Sequence, residues 1–299
     1  DTCHPEHTAG LRVFQLMHDE LHRQYVAYVP AGLESARSPL WLLCPGSGSP
    51  AIEMVVRFTE SADLHRFVLV ALAGVDDHLN VAANAGAAVD RPDDVGYTVA
   101  VLEDLQRRAC IAPTRIFCAG SSRGARFCSR LASELPGLDA IAAIGGLRYP
   151  RPNNGTQPIP IIAFHDTGDP VNPFVGGGRP YWGESVPEVV EAWAQFNGCT
   201  ESWTMPLTGQ SGVMLDRRAG CRSHGDIFLV KLGNGSHAWP GEWAVDMIWR
   251  VFERQSLLRA SSGAVQLPAA LGGPGGPAWL QAAASCTENV GCHSGFVPK

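Results

Sequence analysis

The sequence predicts an α/β fold, a mainly parallel sheet covered by helices on both faces. Two observations carry that reading. Short apolar runs bounded by turn residues alternate along the chain with segments whose apolar residues recur at helical spacing. One of these runs passes through a turn of small residues directly into a helix.

Taken in order, residues 1–23 hold several histidines and show no clear period, which reads as a surface arm. Gln24 to Val29 alternates and reads as an early strand. Leu40 to Cys44 is a short apolar run that enters a glycine-rich loop, Pro45-Gly-Ser-Gly-Ser-Pro50, as a buried strand would. Ile52, Val55, Val56 and Ala62 then mark a helix, and Phe67 to Leu72 a second buried strand. Residues 73–93 look irregular. Asp93 and Asp94 open a helix carrying Val95, Val99, Leu102 and Leu105, with acidic groups where the helix dipole favours them.

Ile116 to Ala119 is the next strand. Gly120-Ser121-Ser122-Arg123-Gly124 follows, and then Ala125, Cys128, Leu131, Ala132 and Leu135 at helical spacing. Ala140 to Ile144 and Ile159 to Phe164 are two more buried strands. Ser185 and Glu188 form a capping-box pattern ahead of Val189, Val190, Trp193 and Phe196. Residues 201–231 hold a β pair ending in Ile227 to Val230, and a last helix runs from about Glu242 to Glu253. Beyond residue 255 comes Leu271-Gly-Gly-Pro-Gly-Gly-Pro277, a linker composition. The organisation expected is therefore an arm (1–23), one α/β domain (24–255), and a linker with a cysteine-containing tail (256–299).

A chain of 299 residues that is 45% hydrophobic can bury a large core. Its formal charge of -6 leaves no basic footprint for nucleic acid. No apolar run reaches the length of a membrane span. Nine cysteines without a C-x-x-C pair read as disulfides of an oxidising, secreted setting, with at least one thiol left free. Cys286, Cys292 and His293 are too few for a zinc site. Cys199 and Cys221 bracket a hairpin, Cys286 and Cys292 are placed to close a small loop, and Cys118 and Cys128 read as buried free thiols. N-glycosylation sequons stand at Asn154 and Asn234, the second beside a candidate catalytic base.

Strand, sharp turn and helix around Ser122 make the setting of a nucleophile elbow. A serine is a poor nucleophile until a base takes its proton, so an acid and a base are required downstream at strand ends. Behind Ile159–Phe164 lies His165-Asp-Thr-Gly-Asp-Pro170, with Asp169 as the acid and Asp166 its rival. Behind Ile227–Val230 lies Gly233-Asn-Gly-Ser-His-Ala-Trp-Pro-Gly241, with His237 as the base. The backbone N–H of Arg123 and a donor at Ser47 are the expected oxyanion hole. Trp239, Trp182 and Tyr181 are the expected substrate-binding aromatics, and His165 reads as a structural strand-end residue.

Residues 24–253 resemble the polyhydroxybutyrate depolymerase and feruloyl esterase family of secreted α/β-hydrolases. The resemblance rests on Asp93-Asp-Val-Gly-Tyr97, Ala119-Gly-Ser-Ser-Arg-Gly124, Phe164-His-Asp-Thr-Gly-Asp169 and Asn234-Gly-Ser-His-Ala-Trp-Pro-Gly241. It implies a catalytic triad of Ser122, Asp169 and His237. It also implies hydrolysis, without a cofactor, of polymeric or bulky esters, whose acyl part would be a hydroxycinnamate, a hydroxyalkanoate or acetate. A carbohydrate acetyl esterase and a catalytically silent binding module are the alternatives. The chain departs from the family in carrying Pro45-Gly46 in place of His-Gly, and Arg123-Gly124-Ala125 after the nucleophile in place of Asn-Gly-Gly. The short connection 145–158 leaves little room for a lid and predicts an open site.

Overall fold

The computed structural model describes residues 9–33, 37–81, 92–150, 152 and 156–261. Ten strands form one sheet in the order β1-β2-β4-β3-β5-β6-β7-β10-β9-β8. Its centre is parallel: β4 (Val68–Leu72), β3 (Ser38–Cys44), β5 (Ile111–Ser121), β6 (Ala140–Ile144), β7 (Ile161–Asp166) and β10 (Ile227–Leu232). Strands β3, β4 and β6 are buried along their whole length, as a sheet covered on both faces requires.

Helices α1 (Ala51–His65) and α5 (Glu242–Ser261) pack on one face, where Phe58, Trp41 and Phe252 meet. Helices α2 (Asp94–Arg108), α3 (Arg123–Glu134) and α4 (Val186–Asn197) cover the other, around Val101, Phe127 and Trp193. The capping box at Ser185 and Glu188 is formed as the sequence implies, and Gly198 ends α4 in the left-handed conformation.

Both edges are antiparallel. At one end β9 (Met214–Ala219) and β8 (Glu201–Pro206) extend β10. At the other, β1 (Gly10–His18) pairs with β2 (Leu21–Val29) along its full length. This corrects the expectation of a surface arm over residues 1–23. Residues 10–18 are a sheet strand, and the expected boundary at residue 23 falls inside β2. The turn between them, Asp19-Glu20, adopts φ of 48° and 64° without the glycine that marks such turns in a sequence. Arg23, assigned to the arm, is buried against Asp94 at 2.5 Å, with its guanidinium over the Tyr97 ring.

Cys118 and Cys128 are corrected too. They form a disulfide that ties β5 to the first turns of α3, their Cα atoms 5.7 Å apart, within the range a disulfide spans. Another disulfide joins Cys199 to Cys221, the two cysteines that bracket the hairpin, a pairing the sequence left open. Cys44 keeps a free thiol, fully buried 3.5 Å from the Cys118 sulfur, and burial pushes its pKa up. Asn154, Cys286, Cys292 and the linker and tail beyond residue 261 lie outside the described residues.

Candidate active site

Strand β5 ends at Ser121 and α3 begins at Arg123, so Ser122 alone carries the chain round the corner. It does so at φ 52° and ψ −114°, a conformation a residue with a Cβ holds at a cost of about 1–3 kcal/mol. The surroundings enforce it. A Cβ on Gly124 would lie 1.8 Å from the Cys44 carbonyl oxygen, and one on Gly120 would lie 2.4 Å from the Gly124 backbone. The close crossing of strand and helix thus explains both glycines of the motif. Gly146 closes in from β6 in the same way, its Cβ position 2.2 Å from the Ser122 carbonyl oxygen. The Ser122 N–H donates to the Ile144 carbonyl at 2.7 Å, which anchors the turn to β6.

Strands β7 and β10 are parallel neighbours, so the loops after them emerge side by side at the sheet edge where Ser122 sits. Asp169 Oδ2 lies 2.6 Å from His237 Nδ1. The other oxygen of Asp169 accepts from the N–H groups of Val171 and Asn172 at 2.8 and 2.9 Å, which holds the carboxylate in one orientation. Asn172 also donates from its side chain to the Gly145 carbonyl, joining the acid loop to the loop after β6. His237 Nε2 is buried and has no hydrogen-bond partner, although His237 lines a cavity of mixed polarity.

Asp166, the rival acid, takes another part. Its Oδ1 accepts from Gly168 and Gly235, and its Oδ2 from Asn234, at 2.8–3.0 Å. Burial opposes its ionisation, but backbone N–H groups of Gly168, Ser236, Asn234 and Gly235 together outweigh that and lower its pKa. Asp166 therefore holds the loop that carries His237. His165 sits 3.5 Å from Asp169 but hydrogen-bonds the Asn172 carbonyl at 2.8 Å, so its Nε2 carries the proton. Burial is the main cause of its lowered pKa, against the opposing pull of the Asn172 carbonyl and the Asp169 charge.

A cavity of about 190 Å³ opens at this edge, and Ser122, His237 and Asp169 all line it. Part of its wall comes from α1, through Glu53, Met54 and Arg57, and from Trp239, which stands edge-on to Phe58 at 5.2 Å. The α1 residues were not singled out by the sequence. Their only signal was a helix starting just after the glycine-rich loop.

Over 227 residues the chain is 28% identical to a putative esterase, NocK, of Nocardia uniformis subsp. tsuyamanensis, covering 68% of this chain and 66% of the relative. Over 193 residues it is 26% identical to feruloyl esterase B of Piromyces equi, covering 60% of this chain and 35% of the relative. The chain therefore spans less than two thirds of the length of these curated relatives. No family model matches. Among solved structures, an acetyl xylan esterase from Aspergillus awamori superposes with a TM-score of 0.57 at 12% identity, over 81% of this chain and 99% of that one.

This is the α/β-hydrolase fold. The resemblance to feruloyl esterases carried by the motifs is borne out by the sequence relatives. As in α/β sheets generally, the site lies beyond the carboxyl ends of the strands. Of the expected oxyanion donors, Arg123 stands at the first position of α3, where helix N–H groups lack intrahelical partners. Ser47 is exposed and does not line the cavity, whereas Gly46 does and lies against Ser122. Of the three aromatics, Trp239 lines the cavity. Trp182 is corrected: it is fully buried, stacked on His165, and donates to the Pro173 carbonyl, so it is a packing residue. Tyr181 is exposed on the α3 side, outside the cavity, beneath the Arg126 guanidinium. No helix roofs Ser122 from the described residues between β6 and β7, in keeping with the expected open site.

Proposed function

We propose that the chain is a serine carboxylic-ester hydrolase that works through an acyl-enzyme on Ser122, with His237 as base and Asp169 as the acid that orients it. The observation that carries this is the buried, orphaned Nε2 of a half-buried imidazole, its other nitrogen held by a carboxylate, in one cavity with a serine at a strained elbow. An imidazole fixed this way presents a bare acceptor to the one hydroxyl that needs it.

In the reaction His237 Nε2 takes the Ser122 proton as the hydroxyl oxygen attacks the ester carbonyl. Negative charge then develops on the carbonyl oxygen, and the N–H groups of Arg123 and Gly46 are the donors we assign to it. Collapse of the tetrahedral species returns the proton to the departing alcohol. Water then attacks the acyl-enzyme by the same route, and His237 again carries the proton.

The cavity supports a bulky acyl group. A single water needs roughly 10–15 Å³ of such space, so an acetyl group would leave most of the 190 Å³ empty. Trp239 offers a flat apolar wall to an aromatic acyl chain such as a hydroxycinnamate. The disulfides Cys118–Cys128 and Cys199–Cys221 support the reading of an enzyme that works in an oxidising, secreted setting, where such bonds persist. No helix of the described residues is long and apolar enough to cross a membrane.

The test is hydrolysis of p-nitrophenyl butyrate, followed by methyl ferulate, hydroxybutyrate oligomers and acetylated xylan. Wild type turns over with an initial burst and is silenced by a serine-directed phosphonate. Ser122→Ala lowers kcat by roughly 10⁴–10⁶-fold. Retained activity in Ser122→Ala overturns the assignment.

A further inference from the structure

The cavity accounts for the α1 side of Ser122. The α3 side carries a different chemistry. Arg123, Arg126 and Arg148 converge there, in a chain whose formal charge is -6. Arg126 lies one helical turn beyond Ser122, about 5.4 Å of rise along α3. Its guanidinium stands 4.5 Å from the Tyr181 ring centre, makes no hydrogen bond among the described residues, and has a buried, unpartnered Nε. Arg148 follows the Gly145-Gly146 turn that packs on Ser122. It donates to the Tyr181 carbonyl and lies 4.4 Å over the Trp182 ring. Its one carboxylate neighbour among the described residues is the largely exposed Glu184, at 3.6 Å. Arg123 spends its Nε on the Leu79 carbonyl and pairs with no acid among the described residues.

Among the described residues, the three cations thus share a single, loosely placed counter-charge. Burial lowers the Arg126 pKa to about 10, and repulsion by Arg123 and Arg148 adds to it. The positive end of α3 points the same way. Such an arrangement costs free energy in the unliganded protein and is relieved by an oxyanion, whose geometry the guanidinium fork matches.

We infer that Arg126 and Arg148, flanking Tyr181, form a subsite for an anionic oxo group, a carboxylate or a phosphate, on the part of the ester that lies outside the cavity. This rests on the hydrolase reading for its place in the reaction, but not for the binding itself. The substrate class is an ester whose alcohol half carries a negative charge. The departure at Arg123, where the resembled family has asparagine, falls in this same cluster.

The experiment compares three acetate esters of similar size: 4-acetoxybenzoate, 4-acetoxyphenyl phosphate and methyl 4-acetoxybenzoate, the last uncharged. Binding is read first, by calorimetry on Ser122→Ala, so that it is independent of turnover. An anionic ester should bind at least about fivefold more tightly than the uncharged one at about 10 mM salt, and the difference should shrink at about 0.3 M. Whichever anionic ester shows the preference identifies the oxo group. Arg126→Gln and Arg148→Gln in that background should each remove most of the preference and leave binding of the uncharged ester within about twofold.

The same ratio should appear in kcat/KM of the active enzyme. Equal binding of all three esters overturns the proposal, as does a preference that survives in the Arg126→Gln, Arg148→Gln double variant. If none of the esters is hydrolysed by the wild type, the hydrolase reading fails, and the calorimetric comparison still decides the subsite.

Discussion

Two aspartates three residues apart divide the work of the site, and replacing each by asparagine separates them. In Asp169→Asn the side-chain oxygen can keep the Val171 and Asn172 N–H groups, which turns the new amide nitrogen towards His237 Nδ1. A donor there forces the imidazole proton to Nε2, the nitrogen that must be bare to accept from Ser122. A wrong tautomer of this kind lowers kcat by about 10⁴, equivalent to about 5.4 kcal/mol of transition-state stabilisation, with the fold unaltered. In Asp166→Asn one oxygen can still accept from Gly168 and Gly235, but the amide nitrogen meets the Asn234 N–H donor to donor. Loss of that charge-assisted bond costs about 2 kcal/mol. The melting temperature should fall on the order of 5 °C. Activity should fall only about tenfold, as the loop carrying His237 loosens. Steady-state hydrolysis of p-nitrophenyl butyrate, alongside thermal melts of both variants, reads each effect. If Asp166→Asn loses the 10⁴ while Asp169→Asn stays within tenfold of wild type, the assignment of acid and clamp is reversed.

Trp239→Ala removes the aromatic wall of the cavity and should lower kcat/KM about tenfold for a hydroxycinnamate ester while changing acetate esters little, as a matched substrate pair will show. Gly124→Ala puts a Cβ into the Cys44 carbonyl, where only backbone could yield, so soluble expression should be lost. Acid should destabilise the fold in two steps. His165 is held neutral by burial, so its contribution is complete above the unfolded value near 6.5 and is lost as pH falls below it and the unfolded chain takes the proton. Asp166 is held ionised, so its contribution is complete above about 3.8 and is lost as pH falls through its lower folded value. Melting temperature against pH should decline below about 6.5 and more steeply below about 4, and His165→Gln should flatten the first decline.

Much of the site was legible in the chain because its parts are local. A strand, a turn and a helix around Ser122 occupy about twenty consecutive residues, and G-x-S-x-G reflects contacts made inside that stretch. Residues 140–144 were read as β6 to the residue, since a buried parallel strand is a plain apolar run. Local periodicity fails where the signal is weak or shared. The Asp19-Glu20 turn lacks the usual residues, so β1 passed for an arm. Trp182 looks like any cleft aromatic until its burial against His165 is seen.

By itself the sequence determined the α/β class, the placing of Ser122, Asp169 and His237 beyond the ends of three strands, and the presence of a capped α4. These depend on spacing along one chain. Which sulfurs join, that Gly46 rather than Ser47 lies against Ser122, and that three arginines gather beside it were decided only by the tertiary structure. The physical reason is common to all of them. Each is a choice between near neighbours in sequence, made by the crossing of loops and helices at one sheet edge, where an ångström of backbone position selects the partner and no local pattern records it.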